Sequence, residues 1–124
     1  AAMTMGVLVW AAGLVIETVA DAQKFAAKRQ PGGGARWVES GLWKYARYPN
    51  YFGEIVCWWG VWLFVAPDLG WWNAAGLLGP ISITFILLKV TGIPTLEKSA
   101  QQKWGANPDY HAYVRRTRLL VPLP

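Results

Sequence analysis

The chain has 124 residues, enough for one domain, and 54% of them are hydrophobic while only 15% are charged. This composition excludes an ordinary soluble domain of the same size and indicates a membrane protein. The net charge of +5 does not indicate nucleic-acid binding, because no nucleic-acid motif accompanies it. No metal is expected either, since Cys57 and His111 are the single residues of their types and lack metal-ligand spacing.

Three apolar segments determine the predicted fold, and they cover residues 3–20, 51–66 and 71–93. At about 1.5 Å per residue the first and third can cross a hydrocarbon core of roughly 30 Å. The second is shorter and would use its flanking aromatic residues to reach the interfaces. The sequence therefore predicts an all-α polytopic membrane bundle with about three transmembrane helices and a C-terminal amphipathic helix. Because the chain opens inside an apolar run, we interpret it as a fragment of a longer protein.

The basic residues predict the topology. They lie between the first and second apolar segments and after the third, whereas the link Pro67–Gly70 contains only Asp68. The positive-inside rule then puts both basic segments and the C-terminus in the cytoplasm. Anionic headgroups of the membrane lipids account for part of this positive charge.

The end of the first apolar segment carries Glu17, Asp21, Lys24 and Lys28 at helical spacing, so these residues share one face. One interpretation is a solvated helix end whose lysines interact with the helix dipole. The other is a pair of inward-facing carboxylates that accept hydrogen bonds from ribose or carboxamide groups. The apolar neighbours of Glu17 favour the second interpretation for the carboxylates, and the lysines fit the first.

Polar residues crowd the segment Lys44–Glu54, which leads directly into a tryptophan-rich apolar run. Pro49 predicts a helix start with Asn50 near the N-cap. Glu54 and Trp58 follow at four-residue steps, so polar side chains at the start of the helix would be followed on the same face by aromatic ones. An aromatic surface of this kind suits a flat apolar substrate or a nicotinamide ring. An interfacial aromatic belt explains the aromatic residues but leaves the carboxylate of Glu54 unexplained.

The C-terminal segment 104–118 is amphipathic and basic. Tyr110, Tyr113 and Thr117 fall on one helical face by their spacing. Two interpretations stay open for this segment: a helix lying on the membrane surface, or a clamp that closes over a cofactor.

In order, these motifs resemble the signature of the steroid 5α-reductase-like membrane reductases, and most of all their bacterial DUF1295 branch. The resemblance implies an NADPH-dependent reductase that saturates a carbon–carbon double bond conjugated to a carbonyl in a steroid or another lipid. Family members have six or seven membrane helices, so residues 1–124 would form the cytosolic-side, cofactor-binding C-terminal half, in the bacterial inner membrane. The matching motifs are Gly41–Glu54, Glu17…Asp21…Lys28, Gly92-Ile-Pro94…Glu97 and Tyr113…Arg116-Thr117…Pro122.

The resemblance also implies roles for individual residues. Glu54 would hold the nicotinamide end, Trp58 would border the substrate cavity, and Tyr113 and Arg116 would close over the phosphates. In that family the groups that polarise the substrate lie in the N-terminal half, so no catalytic residue is assigned in this chain. The full implied cofactor-binding set is Glu17, Asp21, Lys28, Arg47, Asn50, Tyr51, Glu54, Tyr113 and Arg116.

Two other functions compete with this one. Membrane methyltransferases acting on isoprenylcysteine or phospholipids share an Arg-x-Pro-x-Tyr element, here Arg47 to Tyr51, and would use S-adenosylmethionine. The spacings Asn50–Glu54 and Glu17–Asp21 favour the reductase, because they have no evident counterpart in the methyltransferases. The third possibility is a non-catalytic three-helix membrane protein or an inactive remnant.

Overall fold

A computed structural model describes residues 2–90 and 92–122 of the chain. Thr91, inside the third apolar segment, lies outside the described residues, as do Ala1, Leu123 and Pro124. Short 3₁₀ turns and one π-helical turn, Ile86–Val90, connect the helices. The predicted all-α class is confirmed. The helices are α1 (Ala2–Arg29), α2 (Pro49–Leu69), α3 (Asn73–Gly76), α4 (Leu78–Phe85), α5 (Gly92–Trp104) and α6 (Pro108–Arg116).

Two parts of the described chain are long and apolar enough to cross a membrane, Met3–Arg29 and Gly70–Trp104. They correspond to the first and third predicted crossings. Leu8 and Val15 of α1 are 61% and 60% exposed, which suits side chains whose neighbours are lipid. The 21-residue helix α2 runs antiparallel to α1, but the number of crossings stays a prediction.

Glycines bring the backbones of α1 and α2 into direct contact. A Cβ added at Gly13 would lie 2.5 Å from the amide nitrogen of Cys57, and one added at Gly53 would lie 2.6 Å from that of Glu17. Gly6 and Gly60 oppose each other in the same way. Lipid offers no hydrophobic driving force for helix association, so close packing of small residues is what holds such a pair together.

The segment between α1 and α2 folds back along the end of α1. The indole N–H of Trp43 donates to the carbonyl of Ala20 over 2.9 Å. The Leu42 amide donates to Oε1 of Gln23, also over 2.9 Å. These bonds fix the residues before α2 against the last turns of α1, and α2 then begins at Pro49 as predicted.

The C-terminal tail pairs with the backbone just before α2. Ala46 and Arg118 form an isolated parallel bridge. The Arg47 amide donates to the Arg118 carbonyl and the Arg118 amide donates to the Tyr45 carbonyl, both over 2.9 Å. The last described residues are therefore joined to the middle of the chain, a contact that the sequence does not predict.

An aromatic core lies outside the α1–α2 pair. The rings of Trp37 and Tyr110 meet edge to face, with their centroids 5.2 Å apart, and Trp104 packs 5.7 Å from Trp37. Tyr110 and Tyr113 are each 3% exposed. The predicted C-terminal helix thus exists as α6, capped by the Asn107 side chain, which accepts from the Asp109 amide. Its aromatic face is directed into the protein.

Candidate functional site

A cavity of about 240 Å³ lies where the end of α1, the segment 37–50, α5 and α6 meet. Four of the predicted site residues line it together: Lys28, Arg47, Asn50 and Tyr113. They come from three different parts of the chain, the end of α1, the segment 37–50 and α6, so only the tertiary fold unites them. The remaining walls are mainly aromatic and basic, and include Trp37, Trp43, Tyr48, Trp104, Tyr110, Lys24 and Lys103.

Asn50 presents an unsatisfied acceptor at this cavity. Its Oδ1 is buried and has no hydrogen-bond partner among the described residues. Leaving a buried polar group unpaired costs about 1–3 kcal/mol. Asn50 is the second residue of α2, and a donor from a ligand or a water would satisfy this oxygen.

Arg47 is only partly engaged by the protein, since its Nε is buried without a hydrogen-bond partner among the described residues. Its Nη1 donates to the carbonyl of Val114 over 2.9 Å and lies 3.4 Å from the carbonyl and hydroxyl oxygens of Thr117. Its Nε lies 3.6 Å from Oε1 of Glu97. The guanidinium therefore connects the start of α2 to α5 and to the end of α6. Any ligand contact would use its remaining N–H groups.

Tyr113 also uses its polar group within the protein. Its hydroxyl donates to the carbonyl of Trp43 over 2.8 Å, and Thr117 Oγ1 donates to the Tyr113 carbonyl over 2.7 Å. Burial raises the pKa of Tyr113 above its ordinary value, and burial followed by the charge of Glu97 does the same for the pKa of Tyr48. Both phenols therefore stay neutral, and the Tyr113 hydroxyl cannot donate to Trp43 and to a ligand with the same hydrogen.

Arg116 lies outside the cavity lining. Its Nη2 donates to Oε2 of Glu39 over 3.0 Å, and its guanidinium carbon lies 5.4 Å from the centroid of the Tyr113 ring. Burial alone would raise the pKa of Glu39, but the Trp37 hydrogen bond and the charges of Arg116 and Arg36 lower it below its ordinary value. Arg116 thus ties α6 to the segment before α2.

The other predicted residues lie along α1 and α2, outside the lining of the cavity. Glu17 and Glu54 are close enough to repel each other electrostatically, and Glu54 sits one helical turn beyond Asn50. Trp58 is 42% exposed. Apart from Arg116, the structure therefore divides the predicted set into a cavity group and a second group on the α1–α2 pair, which comprises Glu17, Asp21, Tyr51, Glu54 and Trp58.

Sequence reasoning missed several residues that line the cavity. Trp37 and Trp43 stand in a short polar, basic segment, where large aromatic side chains are uncommon unless they are buried. That contrast was the available signal. Lys103 and Trp104 carried no such signal, because the end of a basic amphipathic helix accounts for them equally well.

Comparisons with known proteins agree with one another. The family described as "Protein of unknown function (DUF1295)" matches residues 1–117. A 55-residue stretch is 36% identical to the steroid 5-alpha-reductase DET2 of Gossypium hirsutum and covers 44% of this chain. The matched stretch amounts to 21% of that enzyme, about a fifth of its length. No solved structure matches the chain.

Proposed function

The chain belongs to the DUF1295 family, and on that premise we propose that it forms the cofactor-binding half of a membrane reductase. The enzyme would use NADPH to saturate a carbon–carbon double bond conjugated to a carbonyl in a steroid or another lipid. Similarity to a steroid 5-alpha-reductase supports an oxidoreductase at the level of the family. Neither comparison favours a methyltransferase or a non-catalytic protein.

One observation carries the proposal: the unpaired Oδ1 of Asn50 in a cavity that Lys28, Arg47 and Tyr113 also line. A carboxamide N–H₂ is a donor that would satisfy this oxygen, and phosphates would match the lysine charge. The resemblance implied these four residues as part of a set of nine, and these four line one cavity although Lys28, Arg47 and Tyr113 are far apart in the sequence.

The size of the cavity limits how much of a dinucleotide it takes. Its volume of about 240 Å³ is below the roughly 300–1,000 Å³ of typical small-molecule sites. It therefore suits one part of the cofactor, and the rest would extend beyond it. Glu54, one turn further along α2, and Glu17 across from it would then offer acceptors to the part outside.

NADPH, when bound, supplies the hydride. The protein's own groups would bind and orient the cofactor and shield it from water. Asn50 accepts from the cofactor's amide or ribose donors, and the aromatic walls exclude water from the site. The exposed apolar faces of α1 and α2 leave a lateral route by which a lipid substrate would arrive from the bilayer. The basic end of the bundle would face the cytoplasm, where a soluble nucleotide is available.

A binding experiment tests the proposal on the purified protein in detergent. Tryptophan fluorescence and thermal shift are measured with NADPH and with S-adenosylmethionine. We expect NADPH to stabilise the protein and S-adenosylmethionine to have no effect. The reverse result would identify a methyltransferase.

An activity experiment on the complete membrane protein follows NADPH oxidation with a 3-oxo-4-ene steroid as the probe. Asn50→Ala and Glu54→Ala should each abolish NADPH-dependent reduction while the protein stays in the membrane. Gln102→Ala, an exposed position on α5, is the control and should leave the rate unchanged. Normal turnover in both site variants would refute the assignment.

A further inference from the structure

Three lysines that line the cavity lie near one another. Lys24 and Lys28 come from the last two turns of α1, and Lys103 comes from the last turn of α5. All three line the cavity. Lys28 is repelled by both Lys103 and Lys24, so the fold holds like charges together at an electrostatic cost.

No carboxylate within residues 2–90 and 92–122 forms an ion pair with these lysines. The ion pairs formed there join Arg36, Arg47 and Arg116 to Glu39 and Glu97. Lys28 donates to the Arg36 carbonyl over 2.6 Å, and the ammonium groups of Lys28 and Lys103 each lie 5.7 Å from the Trp104 ring centroid. These contacts fix the positions of two lysines but leave the positive charge unbalanced.

Helix dipoles explain only part of this arrangement. Lysines in the last turn of a helix interact favourably with its carbonyl end, which accounts for Lys28 on α1 and Lys103 on α5 separately. The dipole effect does not require the two helix ends to bring their lysines to the same cavity. An anion bound between them would remove the repulsion and form charge-assisted hydrogen bonds with all three.

We propose that Lys24, Lys28 and Lys103 bind a phosphomonoester, and that this group is the 2′-phosphate that distinguishes NADPH from NADH. The inference rests on the proposed function for the identity of the ligand. A phosphomonoester carries a charge of about −1.5 to −2 near neutral pH, which matches three neighbouring ammonium groups better than a neutral ribose hydroxyl does. Lys103, which the family motifs do not include, is then a specificity-determining residue.

The test uses two small probes, adenosine 2′,5′-bisphosphate and adenosine 5′-monophosphate, titrated into the protein in zwitterionic nanodiscs. Lys103→Gln should weaken binding of the 2′-phosphorylated probe about tenfold, the loss of one charge-assisted contact, and leave the monophosphate within about twofold. Lys98→Gln removes an equal charge from the same helix at an exposed residue that does not line the cavity and should change neither affinity. Equal losses for both probes, or none for either, would overturn the proposal.

A second arm separates the cofactor phosphate from a lipid headgroup. Nanodiscs with phosphatidylglycerol are compared with the zwitterionic ones. If Lys103→Gln reduces retention of phosphatidylglycerol and leaves the bisphosphate affinity unchanged, the site belongs to a headgroup and the proposal is wrong. Bisphosphate binding that depends on Lys103 in both lipids supports the proposal.

The outcomes also distinguish this inference from the proposed function. If bisphosphate binding depends on Lys103 but the complete protein shows no NADPH-dependent reduction, the phosphate site is supported and the reductase function is refuted. If the wild type and Lys103→Gln both catalyse reduction with the same preference for NADPH over NADH, the reductase function is supported and the phosphate site is refuted.

Discussion

Tyr113 on α6 donates its hydroxyl hydrogen to the backbone carbonyl of Trp43 over 2.8 Å. Trp43 in turn donates its indole N–H to the carbonyl of Ala20 on α1 over 2.9 Å. Both side chains are buried, with 3% and 7% of their surface exposed. Two hydrogen bonds therefore link the first helix to the last through the cavity wall, and the shape of the cavity depends on both.

Replacing Tyr113 tests this link. Tyr113→Phe keeps the ring but leaves the buried Trp43 carbonyl without its donor, which should lower the free energy of unfolding by about 1–3 kcal/mol. Thermal unfolding in detergent measures the loss. Tyr45→Phe is the control, since no hydrogen bond of the Tyr45 hydroxyl occurs within the described residues. Equal melting temperatures for the two variants would contradict the link.

The α1–α2 contact makes a prediction about glycine. In Gly53→Ala the new Cβ would meet backbone atoms of Glu17 and Gly13 at 2.6 and 2.7 Å, and backbone cannot move aside as a flexible side chain does. The helices must separate, at a cost of roughly 1–3 kcal/mol. Gly79→Ala, where nothing lies within 4 Å, should be neutral or stabilising. Equal destabilisation of the protein by both substitutions would contradict the prediction that α1 and α2 pack backbone to backbone at Gly53.

Arg47 should control the order of the C-terminal tail. Arg47→Ala removes the donors to Val114 and Thr117 and the charge facing Glu97. We expect the amides of residues 114–121 to exchange with deuterium about tenfold faster, as the loss of one to two hydrogen bonds implies. Arg29→Ala, at the exposed end of α1, should leave this exchange unchanged. Arg47→Lys should restore it only partly, because an ammonium lacks the guanidinium fork.

The Glu39 cluster predicts an acid-dependent loss of stability. Because the pKa of Glu39 is lower in the folded protein than its ordinary value, its contribution is present above the ordinary carboxyl pKa of about 4.3 and is lost as the pH falls through the folded value. The difference in melting temperature between wild type and Glu39→Gln should therefore be largest near neutral pH and shrink in acid. Its size should be small, because the carboxylate is 35% exposed and solvent screens the pairs. A difference that grows in acid would be inconsistent with this.

Local patterns predicted the parts of the fold that local physics determines. The apolar run of α1 is continuous, and proline is favoured in the first turn of a helix, so α1 and the start of α2 at Pro49 could be located from the sequence. The spacing of Gly6 and Gly13, repeated by Gly53 and Gly60, is also visible there. Which helix those glycines face is a tertiary property that spacing does not contain.

The candidate site was predictable only in part for the same reason. Asn50 and Glu54 share a helical face by spacing, yet Asn50 lines the cavity and Glu54 does not. The intervening contact of Gly53 with the backbone of Glu17 closes α1 against α2 between them. Arg47 was predicted as a ligand contact, but no local signal indicates that its Nη1 donates to the Val114 carbonyl of α6.

The bridge between Ala46 and Arg118 sets an order for biosynthesis. The cavity takes its walls from residues 24–50 and from residues 96–113, and the bridge that joins these parts needs a residue from the extreme end of the described chain. During translation the first part is exposed for the whole time that the intervening apolar segments take to be made and inserted. The walls of the cavity are all present only once synthesis has passed Tyr113, and the bridge forms only after Arg118 has been made.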